Sequence, residues 1–274
     1  MGLITRHHLR ADTILYGSVI LHKDDPYYFM YFGTRPRIPS YFMLEAQIGD
    51  RSVGRVLRFD SFSKVLSSGI RIGFVTGPTP LLDAIDRHVS HARLNLCVSL
   101  TEGLACVYGQ TAIANLQPSS FSQAIILTLL RSWGRQGFLD HVQTVAAFYR
   151  AKRDVFESAM RRHLHDIAEW NTPEAGMFFW YVIQQFLLVA SNIAYGVTRF
   201  RLLLGEDGDS ESVIRTKAFE GGVLALPGTV FFPNSARTTY VRASFSLLEE
   251  EQVNEALRRL RVVILKEREG SRGQ

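Results

Sequence analysis

Apolar side chains recur at helical intervals in three stretches of this chain. The first follows residues 119–122, whose serine hydroxyls can cap a helix, and it stops near Gly134. The second covers residues 138–164, where the apolar positions keep the helical period. The third follows Ser246 and Glu249, which have the spacing of a capping box. The pattern therefore predicts a helix that ends near Gly134, a long amphipathic helix and a C-terminal helix.

Shorter apolar runs predict strands, and two of them flank one lysine. Residues 13–21 form the first run, and residues 55–59 and 71–76 lie on either side of Lys64. In α/β proteins, rigid strands fix the positions of functional side chains on the loops that follow them. The chain is therefore predicted to be an α/β protein with Lys64 on a loop between two strands. Strands mixed with helices after residue 137 predict a smaller α+β domain.

Composition narrows the class of protein. With 274 residues and 46% hydrophobic side chains, the chain can bury the core of one large domain or two smaller ones. The net charge of +5 comes from scattered basic residues, which argues against nucleic acid as a partner. Cys97 and Cys106 are too few for a disulfide framework and lack the spacing of a metal site, so we predict no bound metal. Residues 1–12 carry charges where a secretory signal needs an apolar run, so we expect a cytoplasmic or mitochondrial protein.

The stretch around Lys64 is suited to an aldehyde cofactor that carries a phosphate. A lysine amine becomes a nucleophile toward a carbonyl when burial or nearby positive charge lowers its pKa. Ser61 and Ser63 offer hydroxyl groups to phosphate oxygens, and Arg71 offers a planar guanidinium that can bind a phosphate through two hydrogen bonds. The alternative is a loop rich in serine and glycine with one solvated lysine. The pattern Gly-x-Arg-x-Gly around Arg71 favours the cofactor interpretation.

Two further motifs lie far from Lys64 in the sequence. Asp24 and Tyr27 belong to an Asp-Asp-Pro-Tyr segment, which alone is typical of a turn. Arg242 lies near the C-terminus where polar and apolar residues alternate, which alone is typical of a strand with an exposed face. Each motif therefore has a structural explanation beside a functional one.

In this order, the three motifs resemble those of the fold type I pyridoxal-phosphate aminotransferases, most closely the kynurenine/α-aminoadipate and aromatic amino acid aminotransferase group. The resemblance implies pyridoxal 5'-phosphate as the cofactor. It also implies transamination between an aromatic or 2-aminoadipate-like amino acid and a 2-oxo acid. Lys64 would be the catalytic residue that forms a Schiff base, and Arg242 would bind the substrate α-carboxylate. The cofactor-binding residues would be Asp24, Tyr27, Ser61, Ser63, Lys64 and Arg71.

The resemblance also implies roles for the first motif. The carboxylate of Asp24 would keep the pyridine nitrogen protonated, so that the ring can accept electrons from the substrate. The hydroxyl of Tyr27 would lie next to the ring oxygen and tune the pKa of the Schiff base.

The domain organisation is a further implication of the resemblance. Residues 1–136 would form an incomplete three-layer large domain of the PLP-transferase fold with a mostly parallel sheet, and residues 137–274 a smaller α+β C-terminal domain. Residues 93–113 and 181–202 do not fit the family and are interpreted as insertions. The residues before Asp24 are too few to contain the N-terminal part of the family's large domain, so the chain is expected to be truncated. A homodimer is expected if the chain folds, and its catalytic activity is a separate question.

Two other interpretations stay open. A non-catalytic aminotransferase-like fragment or regulator would act through protein association, and no helix-turn-helix module is visible that would indicate DNA binding. Residues 177–197 carry no charge, so a membrane span is the other interpretation. Four polar side chains in that segment argue against a span: Gln184, Gln185, Ser191 and Asn192.

Overall fold

The computed structural model describes nearly three quarters of the chain. The residues described are 20–48, 54–90, 99–100, 105–106, 118–179, 200–204, 208–232 and 234–272. The chain divides into two compact units between Ala146 and Ala147. The predicted domain boundary after residue 136 stays a prediction. The two predicted insertions lie largely outside the described residues.

The first unit contains one five-stranded sheet. Its strands in chain order are β1 (Leu21–Asp24), β2 (Val56–Ser61), β3 (Gly73–Thr76), β4 (Ser99–Leu100) and β5 (Ala105–Cys106). Their order across the sheet is β1-β2-β3-β5-β4. β1 and β2 are parallel, with Asp24 opposite Phe59, and the other pairs are antiparallel.

The pairing directions correct one detail of the predicted fold. The mostly parallel sheet that was predicted does not hold for the described strands, of which only β1 and β2 run parallel. A parallel pair needs a long crossover, and the connection from β1 to β2 is long enough to carry a helix. The loop from β2 to β3, which holds Lys64, is too short for that and reverses the chain.

Two helices of the first unit follow its strands. α1 (Tyr41–Ile48) is capped by Ser40, whose Oγ accepts a hydrogen bond from the N–H of Met43 at 3.2 Å. Its apolar face packs against Val56 of β2. α2 (Thr79–Ser90) comes directly after β3.

α3 (Ser120–Leu164) is a long helix that is broken at Gly134. Gly134 has φ 61° and ψ −171°, a conformation that side chains disfavour and that interrupts helical hydrogen bonding. The predicted stop near Gly134 and the predicted amphipathic helix over residues 138–164 are both confirmed.

The second unit mixes helices with short antiparallel strands. The strands are β6 (Ala168–Trp170), β7 (Phe178–Phe179), β8 (Phe200–Leu202), β9 (Leu226–Pro227) and β10 (Val241–Ser244). β6 pairs with β8, and β10 lies between β7 and β9. The helices are α4 (Ser210–Ser212), which continues as a π-helix over Val213–Ala218, and α5 (Glu250–Arg272).

α5 buries the apolar face that the sequence predicts. The residues on that face are each at most 3% exposed: Val253, Leu257, Leu260 and Ile264. The predicted capping box is wrong, because the helix begins at Glu250 and the hydroxyl of Ser246 hydrogen-bonds that of Ser244 at 2.8 Å. The N–H of Glu249 instead donates to the side chain of Gln252 at 3.0 Å.

Two further features of the described part of the chain concern membranes and metal ions. No helix there is long and apolar enough to cross a membrane, although only the first three residues of segment 177–197 are described. The same part of the chain holds no group of three or more histidine, cysteine or acidic side chains that could bind a metal ion.

Candidate active site

The ends of β1 and β2 bring predicted site residues of the first unit to one edge of the sheet. Asp24 is the last residue of β1, and Ser61 is the last residue of β2. Because these strands are parallel and adjacent, their carboxyl ends lie side by side. Tyr27 and Lys64 lie on the turns that follow, and Lys64 Nζ is 5.8 Å from the centre of the Tyr27 ring. The parallel pair thus joins two motifs that are far apart in sequence.

Lys64 is the last residue of a 3-10 turn, Phe62–Lys64. The hydroxyl of Ser61 caps this turn by accepting a hydrogen bond from the N–H of Ser63 at 3.1 Å. The Phe62 side chain is buried, whereas Lys64 is half-buried. The turn is therefore anchored by an aromatic ring and keeps the amine accessible.

Arg71 follows a second 3-10 turn, Ser68–Ile70, and has a left-handed backbone with φ 56° and ψ 39°. This conformation is uncommon for a residue with a side chain and costs about 1–3 kcal/mol. The side chain is exposed, and its Nη1 donates to the carbonyl of Ser68 at 3.4 Å, which is at the limit of a hydrogen bond. The loop thus holds an accessible guanidinium on a strained backbone, as sites that bind ligands often do.

Gly73 begins β3 and lies opposite Ser61. A Cβ atom at this position would be 2.7 Å from the backbone oxygen of Asp60, which is closer than real Cβ atoms approach. At Gly69, by contrast, the nearest atom to such a Cβ would be Ser67 Oγ at 3.8 Å. Of the two glycines around Arg71, only the second is required by the close approach of the strands.

Asp24 is exposed at the end of β1, between two buried charged residues. Partial burial raises the pKa of its carboxyl group, Lys23 lowers it, and Asp25 raises it. The side chains of Lys23 and Asp25 point to the other face of the strand, where Nζ and Oδ1 are 3.8 Å apart. The net result is an Asp24 pKa above its usual value, because burial outweighs the opposing charge of Lys23.

A second ion pair supports the same edge from β2. Arg58 Nη2 is 2.6 Å from Asp60 Oδ1, and both side chains are nearly buried. Burial raises the pKa of Asp60, and the hydrogen bond and charge of Arg58 oppose that rise. The Arg58 guanidinium also lies 4.0 Å from the centre of the Tyr28 ring, next to Tyr27 in the chain.

Arg242 lies in the second unit, on β10, and is half-buried. Its guanidinium carbon is 4.6 Å from the centre of the Phe178 ring and 4.8 Å from that of Phe231. Such distances are typical of cation–π contacts, which restrict the orientation of a planar guanidinium. The predicted alternation along this strand is confirmed, since Val241 and Ala243 on either side are buried.

Three contacts of the site residues could not be found from sequence. Phe178 and Phe231 flank Arg242, and His141 Nε2 is 2.7 Å from the carbonyl oxygen of Val65, next to Lys64. Phe178 belongs to a strand pattern that indicates only fold. His141 lies within a predicted amphipathic helix, and the helical pattern does not predict which residue a histidine contacts.

The donor set of the first unit fits an aldehyde that carries a phosphate and a basic ring nitrogen. An amine, two hydroxyls and a guanidinium follow one another within the loop from Ser61 to Arg71. A carboxylate, Asp24, lies at the end of the neighbouring strand. These are the groups that such a molecule requires for its carbonyl, phosphate and ring nitrogen.

Comparison with known proteins gives relatives that share nearly all of this chain. No family model matches it. The aminotransferase tdiD of Emericella nidulans is 38% identical over 244 residues, which cover 89% of this chain and 46% of that protein. The mitochondrial kynurenine/alpha-aminoadipate aminotransferase of Bos taurus is 37% identical over 246 residues, with shares of 89% and 46%. The chain spans about half the length of the curated relatives it matches.

Solved structures agree on the fold. LysN, an alpha-aminoadipate aminotransferase from Thermus thermophilus complexed with N-(5'-phosphopyridoxyl)-L-leucine, matches with a TM-score of 0.70 and 23% identity, over 94% of this chain and 53% of that one. The kynurenine aminotransferase of Pyrococcus horikoshii, solved in complex with PMP, matches with a TM-score of 0.69 and 20% identity, over 97% and 54%. Over the half that it shares with them, the chain is similar in sequence to the kynurenine/α-aminoadipate aminotransferases, and it has the fold of the pyridoxal-phosphate aminotransferases of fold type I.

Proposed function

We propose that this chain binds pyridoxal phosphate and takes part in transamination between an aromatic or 2-aminoadipate-like amino acid and a 2-oxo acid. The observation that carries the proposal is the meeting of Asp24, Tyr27 and Lys64 at the ends of two parallel strands. The names of the relatives support the substrate class, because they include kynurenine/alpha-aminoadipate and aromatic amino acid aminotransferases.

Lys64 has the central role in this proposal. When bound, pyridoxal phosphate supplies an aldehyde carbon to which amines add and a ring that draws electrons from the substrate α-carbon. The Lys64 amine would hold the cofactor through that carbon and, when the substrate amine is bound there instead, would accept a proton from the substrate α-carbon and return one. Lys64 is half-buried beside the Tyr27 ring, so its amine is both accessible and close to the residues that would bind the cofactor.

The other residues would bind and orient. The hydroxyls of Ser61 and Ser63 and the guanidinium of Arg71 would donate hydrogen bonds to the phosphate. The Asp24 carboxylate would hold a proton at the ring nitrogen, and the charge of Lys23 opposes part of the burial effect that raises the pKa of Asp24.

Arg242 would bind the substrate carboxylate. A guanidinium donates two parallel hydrogen bonds to a carboxylate, which fixes the direction of the neighbouring Cα–H bond. The rings of Phe178 and Phe231 support this role, because they restrict the guanidinium plane and add apolar surface suited to an aromatic substrate.

Chemical trapping at Lys64 tests the proposal. The protein is mixed with pyridoxal phosphate and reduced with borohydride, and mass spectrometry then locates the phosphopyridoxyl group. We expect it on Lys64, with strong loss of trapping in Lys64→Ala and none in the control Lys217→Ala, whose lysine is half-exposed in the second unit. An unlabelled Lys64 would favour the non-catalytic alternative, a protein that acts through association. Transamination that survives in Lys64→Ala would contradict the mechanism.

Assembly and compartment are part of the same proposal. We expect a homodimer, which sedimentation equilibrium would detect as twice the chain mass. We also expect the protein in the cytoplasm or the mitochondrion, and three relatives carry the word mitochondrial in their names. Fractionation of cells that express the natural protein would distinguish these two compartments.

A further inference from the structure

A histidine on α3 makes a hydrogen bond to the turn that carries the proposed catalytic lysine. His141 Nε2 lies 2.7 Å from the carbonyl oxygen of Val65, the residue after Lys64. A carbonyl oxygen can only accept, so Nε2 must carry the proton. Both residues belong to the first unit, although 76 positions separate them in sequence.

The Val65 carbonyl receives its hydrogen bond from His141, outside the turn. The side chain of Val65 is buried, with 3% exposure, and the N–H groups of Val65 and Leu66 both donate to the carbonyl of Phe62. These two bonds close the turn internally. The bond from His141 connects this turn to α3. Removing the donor would leave a buried carbonyl without a hydrogen bond, which destabilises the folded state.

The break in α3 holds the imidazole in place. The rings of Trp133 and His141 are 4.7 Å apart at a tilt of 33°. Eight residues of a continuous helix would separate these positions by about 12 Å along its axis. The break at Gly134, where φ is 61°, removes that separation and lets the indole pack on the imidazole. No atom lies within 4 Å of a Cβ placed on Gly134, so the backbone angle and not the space requires glycine.

We propose that His141 is a positioning residue, which holds the Lys64 turn in its reactive geometry through the Val65 carbonyl. The positioning role rests on the proposed function, because the geometry of the turn affects the reaction only when Lys64 is the nucleophile. The contact itself can be tested without cofactor.

Hydrogen exchange of the Val65 and Leu66 amides is the first test. In His141→Phe the ring still packs on Trp133 but the donor is lost, and we expect these amides to exchange about 10- to 100-fold faster. His141→Gln places an amide N–H near the position of Nε2 and should restore most of the protection. The matched control is His163→Phe, which changes a histidine of the same helix that contacts Asn254 in the second unit.

The outcomes separate the donor from the packing. Unchanged exchange in His141→Phe would overturn the proposal, because the ring alone would then hold the turn. Equal loss of protection in His141→Phe and His141→Gln would also overturn it, because a restored donor would then have no effect. If His141→Phe fails to fold, the unaltered protein still decides: 15N spectra of its histidines must show His141 with the proton on Nε2, and a proton on Nδ1 alone would contradict the contact.

A second readout links the contact to Lys64. We expect the rate at which Lys64 is trapped by pyridoxal phosphate and borohydride to fall about tenfold in His141→Phe and to recover in His141→Gln. If the unaltered chain gives no trapped lysine while the exchange results hold, the proposed function fails and the structural role of His141 stands. If trapping is normal in both His141 variants and lost in Lys64→Ala, the positioning role fails and the proposed function stands.

Discussion

At position 71, the energetic preference of the backbone and the proposed role of the side chain point to different residues. The left-handed conformation of Arg71 costs about 1–3 kcal/mol, and glycine would avoid most of that cost. Glycine also gives the unfolded chain more freedom, which costs about 0.5–1 kcal/mol. The strain term is the larger, so we expect Arg71→Gly to raise the free energy of unfolding by about 1 kcal/mol, measured by urea titration.

The same variant should lose affinity for pyridoxal phosphate. Hydrogen bonds to a charged group contribute about 1.5–3 kcal/mol, so we expect the dissociation constant to rise at least tenfold in an absorbance titration. Arg71→Lys serves as the control, because it keeps the charge and the strained backbone. A gain in stability with unchanged affinity would remove Arg71 from the phosphate site.

Sequence reasoning at this scale depends on residues that lie close together in the chain. Ser61, Ser63 and Lys64 could be assigned to one loop because four positions contain them all. The contact of His141 with Val65 depends on a helix break and a stacked ring, neither of which has a local pattern. The approach of Asp24 to Lys64 required the resemblance, because a turn explains the aspartate equally well.

Among the elements, α5 contains an ion-pair cluster that predicts a pH effect. Glu255 accepts hydrogen bonds from Arg258 and Arg259, which lower the pKa of its carboxyl group from 4.5 to about 2. A lowered pKa in the folded state stabilises the protein above the unfolded value, and this contribution is lost as the pH falls from about 4.5 to about 2. We expect Glu255→Gln to melt slightly lower than the unaltered chain at pH 6, with a small difference because the group is exposed.

Thermal unfolding at pH 6 and pH 2 measures this effect. The melting difference between the two proteins should be much smaller at pH 2, where the Glu255 carboxyl is about half protonated in the folded chain. Added salt should reduce it at pH 6. A difference that persists at pH 2 would indicate that the substitution acts through packing or helix propensity.

Helices and strands differ in how far the sequence predicts them. The apolar period gives the helices over residues 138–164 and along α5, because the apolar residues that recur at this period are the ones that are buried. The direction of strand pairing follows from connection length, so the antiparallel β2–β3 pair could have been expected from the short loop around Lys64. The start of α5 could not, since Ser246 and Glu249 have capping spacing but Gln252 supplies the bond.

For the molecule as a whole, ligand binding should appear as stability. A ligand that binds only the folded state raises the free energy of unfolding by about 2.7 kcal/mol at 100 times its dissociation constant. We expect pyridoxal phosphate to raise the melting temperature of the unaltered chain and to do so much less in Lys64→Ala. Inorganic phosphate at the same concentration is the control, because it lacks the aldehyde. An equal rise with both ligands would assign the effect to the anion alone.

The close contact at Gly73 has a consequence for how substitutions are tolerated around the lysine loop. Because its constraint is steric and independent of any ligand, a library screened only for folded protein should retain glycine at position 73 and accept alanine at Gly69. In the same screen Lys64 should vary freely, and position 71 should favour glycine because of its left-handed backbone. A second screen for bound cofactor should then retain lysine at position 64 and arginine at position 71. The two screens together would distinguish residues that the loop needs to fold from residues that it needs to bind the cofactor.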